Sequence, residues 1–434
     1  MSSRRLWLGF GASVALAIGC TSETKVPDES GHETGGTTST STDDSGQPPD
    51  DGPRGQDLAT FDPKCATACA RLYDQCGLAL PGQDGDLPRE QCESACRDSN
   101  AFGGAQWCVA DLSVCSAAEV LACWGLELDL LPELHDDPQW EVEVVRDGLT
   151  HYRAYFRELF GDPQIVNLLA VDLDHPLVRI ELTANDVWEL PRRPVPELAE
   201  HAGAIAAING GFAPGSAFEE VGYGIMKFRG EVWPFVNDPS FHDTYEAHGR
   251  NAVGIDADRQ WHFASRGEQG WELGATWDQD WPEVLDAMAG GSHLVEGGQV
   301  HPLVVPETTQ GAYIDNQILA NLTFNRHPRT AIGVREDDVS FPGVPTVRRR
   351  VGVLAAISGR HEGHAIGMTL QEVGELMVTI GCRDALELDG GGSTTMWLRD
   401  APGNGVVNYP TDNGEFDQEG LRSLRLAVLV MEDD

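Results

Sequence analysis

The chain has 434 residues, 41% of them apolar, and carries 69 acidic against 30 basic residues for a formal charge of −39. That length exceeds what one ordinary domain needs and supplies enough apolar residues for a sizeable core. Only three of the bases are lysines (Lys25, Lys64, Lys227). So acidic a chain lacks the basic face that displaces counterions from nucleic acid, which excludes nucleic acid as a partner and leaves solubility as the reading of the charge.

The N-terminus reads MSSRRLWLGFGASVALAIGC. Arg4 and Arg5 precede an apolar stretch, Leu6 to Ile18, that is too short to span a bilayer and suits a signal sequence. The ending Leu16-Ala17-Ile18-Gly19-Cys20 resembles a bacterial lipoprotein signal, so residues 1–20 are read as that signal and Cys20 as the lipidated residue. The expectation is an exported protein of the cell envelope, held at the membrane by its lipid alone. The alternative is an ordinary secretory peptide and a soluble product. Residues 21–60, rich in Ser, Thr, Gly, Pro and Asp, cannot bury enough apolar surface to offset chain entropy and are read as a disordered linker.

Residues 61–126 hold eight of the ten cysteines: Cys65, Cys69, Cys76, Cys92, Cys96, Cys108, Cys115 and Cys123. An even number in a short exported segment predicts a disulfide framework in a small, mostly helical module. The sequence does not choose the full pairing, but CATAC and CESAC each put two cysteines on one face of a helix. Two such helices packed antiparallel are stapled by Cys65–Cys96 and Cys69–Cys92. A zinc site is disfavoured, because the segment lacks histidine and the C-x2-C knuckles zinc prefers.

From residue 138 to 434 the texture changes to short strands and glycine-rich turns. Apolar, β-branched runs predict strands at 165–173, 177–182, 204–209, 353–358, 385–389 and 424–431. Helical spacing marks 194–203 and 369–381, the latter opening with a Thr369/Glu372 capping box and closing at Gly381. The pattern predicts an α+β fold with a mixed sheet, not a βαβ series.

Two predicted strands end in a polar residue followed by glycines: Asn209-Gly210-Gly211 and Asp389-Gly390-Gly391-Gly392. Strand ends commonly carry reactive side chains, and bare backbone beside them suits close approach of an anion. Three adjacent glycines are a costly way to make a turn. Seven arginines fall between residues 321 and 360 (326, 329, 335, 348, 349, 350, 360). On an acidic chain this local excess suggests an anionic ligand, since guanidinium suits phosphate by bidentate bonding, although Arg348–Arg350 read as a solvated loop face.

Asn209-Gly210-Gly211-Phe212, Arg329-Thr330-Ala331-Ile332-Gly333, Gly359-Arg360 with Gly367-Met368-Thr369-Leu370, Leu388 through Ser393, and Asn408 through Gly414 together resemble the phosphodiester glycosidase family and related bacterial proteins associated with exopolysaccharide biosynthesis. The resemblance covers roughly residues 140 to 432. This chain departs from the family at Ser358, where an aspartate is common, at Glu387, where asparagine is frequent, and at Asn408-Tyr409-Pro410-Thr411-Asp412, where the family has Asn-Arg-Pro-Ser-Asp.

The resemblance implies hydrolysis of a sugar-1-phosphodiester at the anomeric C–O bond. A phosphate ester leaves readily, so the site needs a carboxylate for the oxocarbenium-like centre or its water, and a cationic cradle for phosphate. Asp389 is the expected catalytic carboxylate, with Glu387 beside it at strand period two. Asn209, Gly210, Gly211, Arg329, Thr330, Arg360, Gly390, Gly391, Gly392, Ser393, Asn408 and Asp412 are the expected substrate-binding residues. The partner is a phosphosugar or glycan. No cofactor is required by the sequence, which does not decide metal binding or oligomeric state. The alternative is a non-catalytic, glycan-binding surface lipoprotein that retains the fold. His361-Glu362-Gly363-His364 lacks zincin spacing, and no G-x-S-x-G elbow occurs at a strand-to-helix turn.

Overall fold

The computed structural model describes residues 58–433, except 83–84, 100, 103, 127, 183–191, 213–221, 224, 233–234, 237–250, 268–269, 272–280 and 307–316. The predicted signal, Cys20 and nearly all of the predicted linker lie outside the described residues.

Helix α1 (Leu58–Cys69) runs into a π-helical turn (Ala70–Gln75) and packs against α2 (Arg89–Ser99) and α3 (Gln106–Asp111), with α4 (Ala117–Ala122) following. Cys65–Cys96 and Cys69–Cys92 join α1 to α2, the pairing expected from the two i, i+4 cysteine pairs. Cys76–Cys115 and Cys108–Cys123 complete the framework. The tenth cysteine, Cys382, is buried and free.

A short helix α5 (Pro132–His135) leads into three long strands, β1 (Trp140–Arg146), β2 (Leu149–Leu159) and β3 (Asp162–Asp172). After β4 (Val178–Glu181), helix α6 (Val195–Ala202) and β5 (Ala206–Asn209) come β6 (Met226–Phe228), β7 (Asn251–Ile255), β8 (Trp261–Gly267) and β9 (Asp286–Gly290). The chain continues through β10 (His293–Glu296), β11 (Gln299–Val300) and α7 (Gln317–Phe324) to the hairpin β12 (Arg329–Val339) and β13 (Val347–Ser358). Helix α8 (Leu370–Thr379), β14 (Asp384–Glu387), β15 (Met396–Leu398) and β16 (Ala427–Glu432) complete the order.

One sheet has the order β11-β10-β14-β12-β13-β3-β2-β1, a second β15-β5-β16-β4, and a third is centred on β6-β9-β7-β8. Pairing in all three is antiparallel; the expected mixture is confined to one short parallel pair among the described strands, Phe235–Val236 on Gly222–Tyr223.

At its centre the eight-stranded sheet is buried on both faces, which is why residues 351–357 of β13 read as an apolar run. Leu354 and Ala356 point to a core shared with Ile208, Met288 and Val428 of the other two sheets. Val353, Ala355 and Ile357 point the other way, onto Val373, Leu376 and Met377 of α8. Helix α6 covers the outer face of the four-stranded sheet through Val195, Leu198 and Ala199. The α8 capping box forms as its sequence predicts: the Glu372 amide donates to Thr369 Oγ1 at 3.1 Å and the Thr369 amide to Glu372 Oε2 at 2.9 Å. Gly381 closes it with φ +84°.

The cysteine-rich module is not an isolated bead. Its Leu72, Val109 and Val120 share a core cluster with Val344 and Val347 at the tip of the β12–β13 hairpin.

Arg348 to Arg350 lie in β13, not in a solvated loop. Arg348 pairs with Glu336 at 2.6 Å, Arg349 Nε donates to Asp337 at 2.9 Å, and Arg350 Nε donates to Asp174 at 2.9 Å. Arg326 pairs with Glu372 and Asp162, and Arg335 pairs with Glu133 and Asp337. The arginine excess is mostly internal ion pairing along a hairpin whose facing strand carries Glu336, Asp337 and Asp338.

Candidate active site

The loop 388–395 carries the chain from the eight-stranded sheet to the four-stranded one, and Asp389 sits at that crossing. The Leu388 amide donates to Thr330 O at 2.9 Å, and the Asp389 amide to Gly210 O at 3.1 Å. Asn209 Nδ2 donates to Asp389 O at 2.5 Å. The Asp389 backbone is thus held from both sheets.

Asp389 keeps partial exposure, and its Oδ2 accepts from Ser393 Oγ at 2.7 Å. Burial of the carboxyl pushes its pKa up to about 6, against the lowering effects of the Ser393 hydroxyl and the charge of Arg422. A carboxyl poised there exchanges a proton near neutral pH, which a catalytic base or nucleophile needs.

Two guanidinium groups meet the turn after Asp389. Gly391, at φ +62°, lies against Arg360: a Cβ there falls 3.1 Å from Arg360 Nη2. A Cβ on Gly392 collides with Asp412 Oδ1 and Arg422 Nη2. These two glycines let both arginines approach the main chain. Arg360 adopts φ +60°, a left-handed conformation that costs a branchless but bulky side chain on the order of 1–3 kcal/mol. Its Nη2 lies 3.2 Å from His327 Nδ1. Burial, then the charges of Arg329 and Arg360, lower the His327 pKa to about 4, so His327 is neutral and accepts from Arg360. Arg422 makes a bidentate pair with Asp412 (Nε–Oδ2 2.9 Å, Nη2–Oδ1 2.6 Å) and places Nη1 3.4 Å from Ser393 Oγ.

Most other expected site residues are placed in the supporting framework. Glu387 is 2% exposed; Oε1 takes Arg329 Nη1 at 3.0 Å and Oε2 takes the Ser292 amide at 3.2 Å. It is therefore not a second free carboxylate. Arg329 is equally buried, and besides Glu387 it donates to the carbonyls of Met368, Leu322 and Asn325, so four of its five N–H groups are engaged within the protein. Asn209 Oδ1 accepts from Thr330 Oγ1 at 2.8 Å and the Thr395 amide at 3.1 Å, so Asn209 and Thr330 are internal.

Gly210 and Gly211 serve close packing: a Cβ on Gly211 would strike Ala289 O, and one on Gly210 lies 2.7 Å from Leu426 Cβ. Asn408, fully buried, clamps the Met396 amide and Thr394 O. Asp412 positions Arg422. The Gly391 amide donates to Pro328 O at 2.8 Å, so it is not part of an anion nest. Ser358 Oγ, where the family commonly has aspartate, accepts the Tyr409 amide at 3.1 Å and tethers the 408–412 loop.

Asp389, Arg360, Ser393 and the Gly390–Gly392 turn remain as the expected residues brought together, and Arg422 and His327 join them unforeseen. The only sequence signal for Arg422 is that, with Arg425, it directly follows an acidic stretch (Asp412, Glu415, Asp417, Glu419). No group of three or more His, Cys, Asp or Glu that could hold a metal ion occurs among the described residues.

The family model described as phosphodiester glycosidase matches residues 202–431, a span that contains all of these groups, and the chain belongs to that family. Similar solved structures include a hypothetical protein from Synechocystis (16% identity, 68% of this chain and 64% of that one, TM-score 0.45). They also include the zebrafish N-acetylglucosamine-1-phosphodiester alpha-N-acetylglucosaminidase catalytic domain auto-inhibited by its pro-peptide (17% identity, 74% of this chain and 94% of that one, TM-score 0.44). A third is a putative exported protein from Burkholderia pseudomallei (16% identity, 62% and 74%, TM-score 0.36). The chain spans about two thirds, 64%, of the Synechocystis protein's length. No curated protein matches.

Proposed function

We propose that the protein hydrolyses a sugar-1-phosphodiester at the anomeric C–O bond. The observation that carries this reading is the raised carboxyl of Asp389 beside a glycine turn pressed against Arg360 and Arg422. The family's chemistry asks for those two components.

In this reading Arg360 and Arg422 bind the phosphate, with Ser393 between Arg422 and Asp389. As C1–O breaks, the phosphate monoester leaves with the bonding electrons and the two guanidinium groups stabilise its charge. Asp389 as carboxylate either accepts the proton of the water that attacks C1 or attacks C1 itself before water does. Burial of Asp389 keeps it basic enough for either task. Glu387 and Asp412 act by positioning Arg329 and Arg422. Export and lipid attachment at Cys20 belong to the same proposal, and the mass of the processed N-terminal peptide decides them.

The test is incubation of the purified protein with alkyl sugar-1-phosphates and nucleotide-sugars, with mass spectrometry for free sugar. Release that disappears in Asp389→Asn supports the proposal. No release across the panel favours a glycan-binding protein that retains the fold.

A further inference from the structure

Outside the candidate active site, a cavity of about 190 Å³ lies between β4 and one end of β7, β8 and β9. Ile255, Trp261 and Asp286 mark that end, where the three strands pair side by side. The opposite end of β9 meets the framework beneath Asp389: a Cβ on Gly290 would fall 2.4 Å from Glu387 O. Asp286 and Gly290 are the two ends of this five-residue strand, roughly 13 Å apart, so the cavity is separate from the turn after Asp389.

The floor is apolar, built by Leu173, Ile180, Ile255 and Trp261. The wall is polar. Arg179 Nη2 donates to Glu181 Oε1 at 2.7 Å, and the Arg229 amide donates to Asp286 Oδ1 at 2.7 Å. Among the described residues, the second oxygen of each carboxyl accepts no hydrogen bond. Burial raises the Asp286 pKa against the effect of the Arg229 amide, and the nearby Glu181 charge raises it further, which marks the two carboxyls as neighbours. Arg229 Nη2 stands 3.9 Å from Glu181 Oε1, beyond hydrogen-bond reach, on a side chain 66% exposed. Two lining residues, Arg229 and Arg259, hold left-handed backbone at φ +50° and +60°, as Arg360 does in the candidate active site. Such strain gathers at ligand clamps.

Charge narrows the ligand. Arg179, Arg229 and Arg259 line the cavity against Glu181, Asp256 and Asp286, so the lining is formally neutral. Behind it stand Lys227 and Arg350 against Asp433, Asp174 and Asp172, the last pushed by burial up to about 6, which adds at most one negative charge. A neutral ligand fits, provided that it both donates and accepts, as a hydroxyl does. The volume exceeds the about 150 Å³ that encloses one benzene ring and falls short of two. We propose that this cavity binds one neutral pyranose ring, seated on the apolar floor beside Trp261, with hydroxyl groups donating to Glu181 and Asp286 and accepting from Arg229. The site does not depend on the role of Asp389.

The test is an NMR titration, by saturation transfer from the full-length protein, with the methyl pyranosides of glucose, galactose, mannose and N-acetylglucosamine. Glucuronate and glucosamine serve as charged comparators. At least one neutral pyranoside is expected to bind, and its affinity is expected to fall about tenfold in Arg229→Asn and in Asp286→Asn. The first change is at an exposed position, and asparagine tolerates left-handed backbone. A disaccharide ending in the same ring separates a glycan chain end, which binds in both forms, from a free monosaccharide, which alone fits; either result supports the site. No response from any neutral pyranoside overturns it. Tighter binding of glucuronate or glucosamine overturns the neutral ring. Affinity unchanged in both variants overturns the assignment to this cavity.

Discussion

Asp389 and Glu387 are two residues apart on one strand end and have opposite fates. Glu387 is closed into an ion pair with Arg329, while Asp389 faces the turn with a carboxyl raised to about 6 by burial. The sign of the consequence is fixed. The folded protein binds the Asp389 proton more tightly than the unfolded chain, whose aspartate titrates near ~3.9. This group's contribution to stability is therefore full below that value and is lost as pH rises through about 6. Asp389→Asn is expected to raise the melting temperature at pH ~8, with the difference shrinking toward pH ~4. The same substitution is expected to lower kcat/KM by about 10²–10⁴-fold. In the unaltered protein kcat/KM should fall below pH about 6, as the required carboxylate is protonated; a fall above that pH instead would make Asp389 a proton donor. The sequence draws attention to Asp389 because three glycines in a row have little structural excuse. It does not draw attention to Arg422, whose place at the turn comes from a bidentate pair with Asp412 and from Gly392 making room for both, neither of which is a sequence pattern.

At the scale of elements, strand ends were legible and the direction of their side chains was not. Asn209 terminates β5 as expected, and Arg329 and Thr330 begin β12, which was not among the predicted strands; the polar atoms of all three close on neighbouring backbone and side chains. A polar residue at a strand end reads identically whether it faces a ligand or bolts two sheets together. The arginine excess misled for a related reason: β12 and β13 carry opposite charges at facing positions, a cross-strand relation that becomes visible only once the register is known. Arg329 and Glu387, each 2% exposed, form the most buried of these pairs. Glu387→Gln leaves the Arg329 charge uncompensated and is expected to cost about 3–5 kcal/mol of stability, read from urea unfolding. A midpoint unchanged from the parent would contradict the framework role. The cysteine pairs were read correctly because i, i+4 spacing is a helical geometry that the sequence states directly.

For the whole molecule, α+β class and the helical disulfide module were visible in the sequence, since composition and period specify them locally. The docking of that module on the β12–β13 hairpin was not, because it depends on where Val344 and Val347 come to lie. The site belongs to the junction of two sheets: β14 delivers Asp389, β5 and β12 hold its backbone, and the loops after β13 and β15 bring Arg360 and Arg422 to one turn. The proposed bond cleavage calls on this assembly as a whole, and the bond that breaks distinguishes a glycosidase from a phosphodiesterase. The most direct measurement is turnover of an alkyl sugar-1-phosphate in water enriched in heavy oxygen, followed by mass analysis of both products. Cleavage at the anomeric carbon predicts the heavy atom in the released sugar and none in the phosphate ester. Heavy oxygen in the phosphate product would contradict the account.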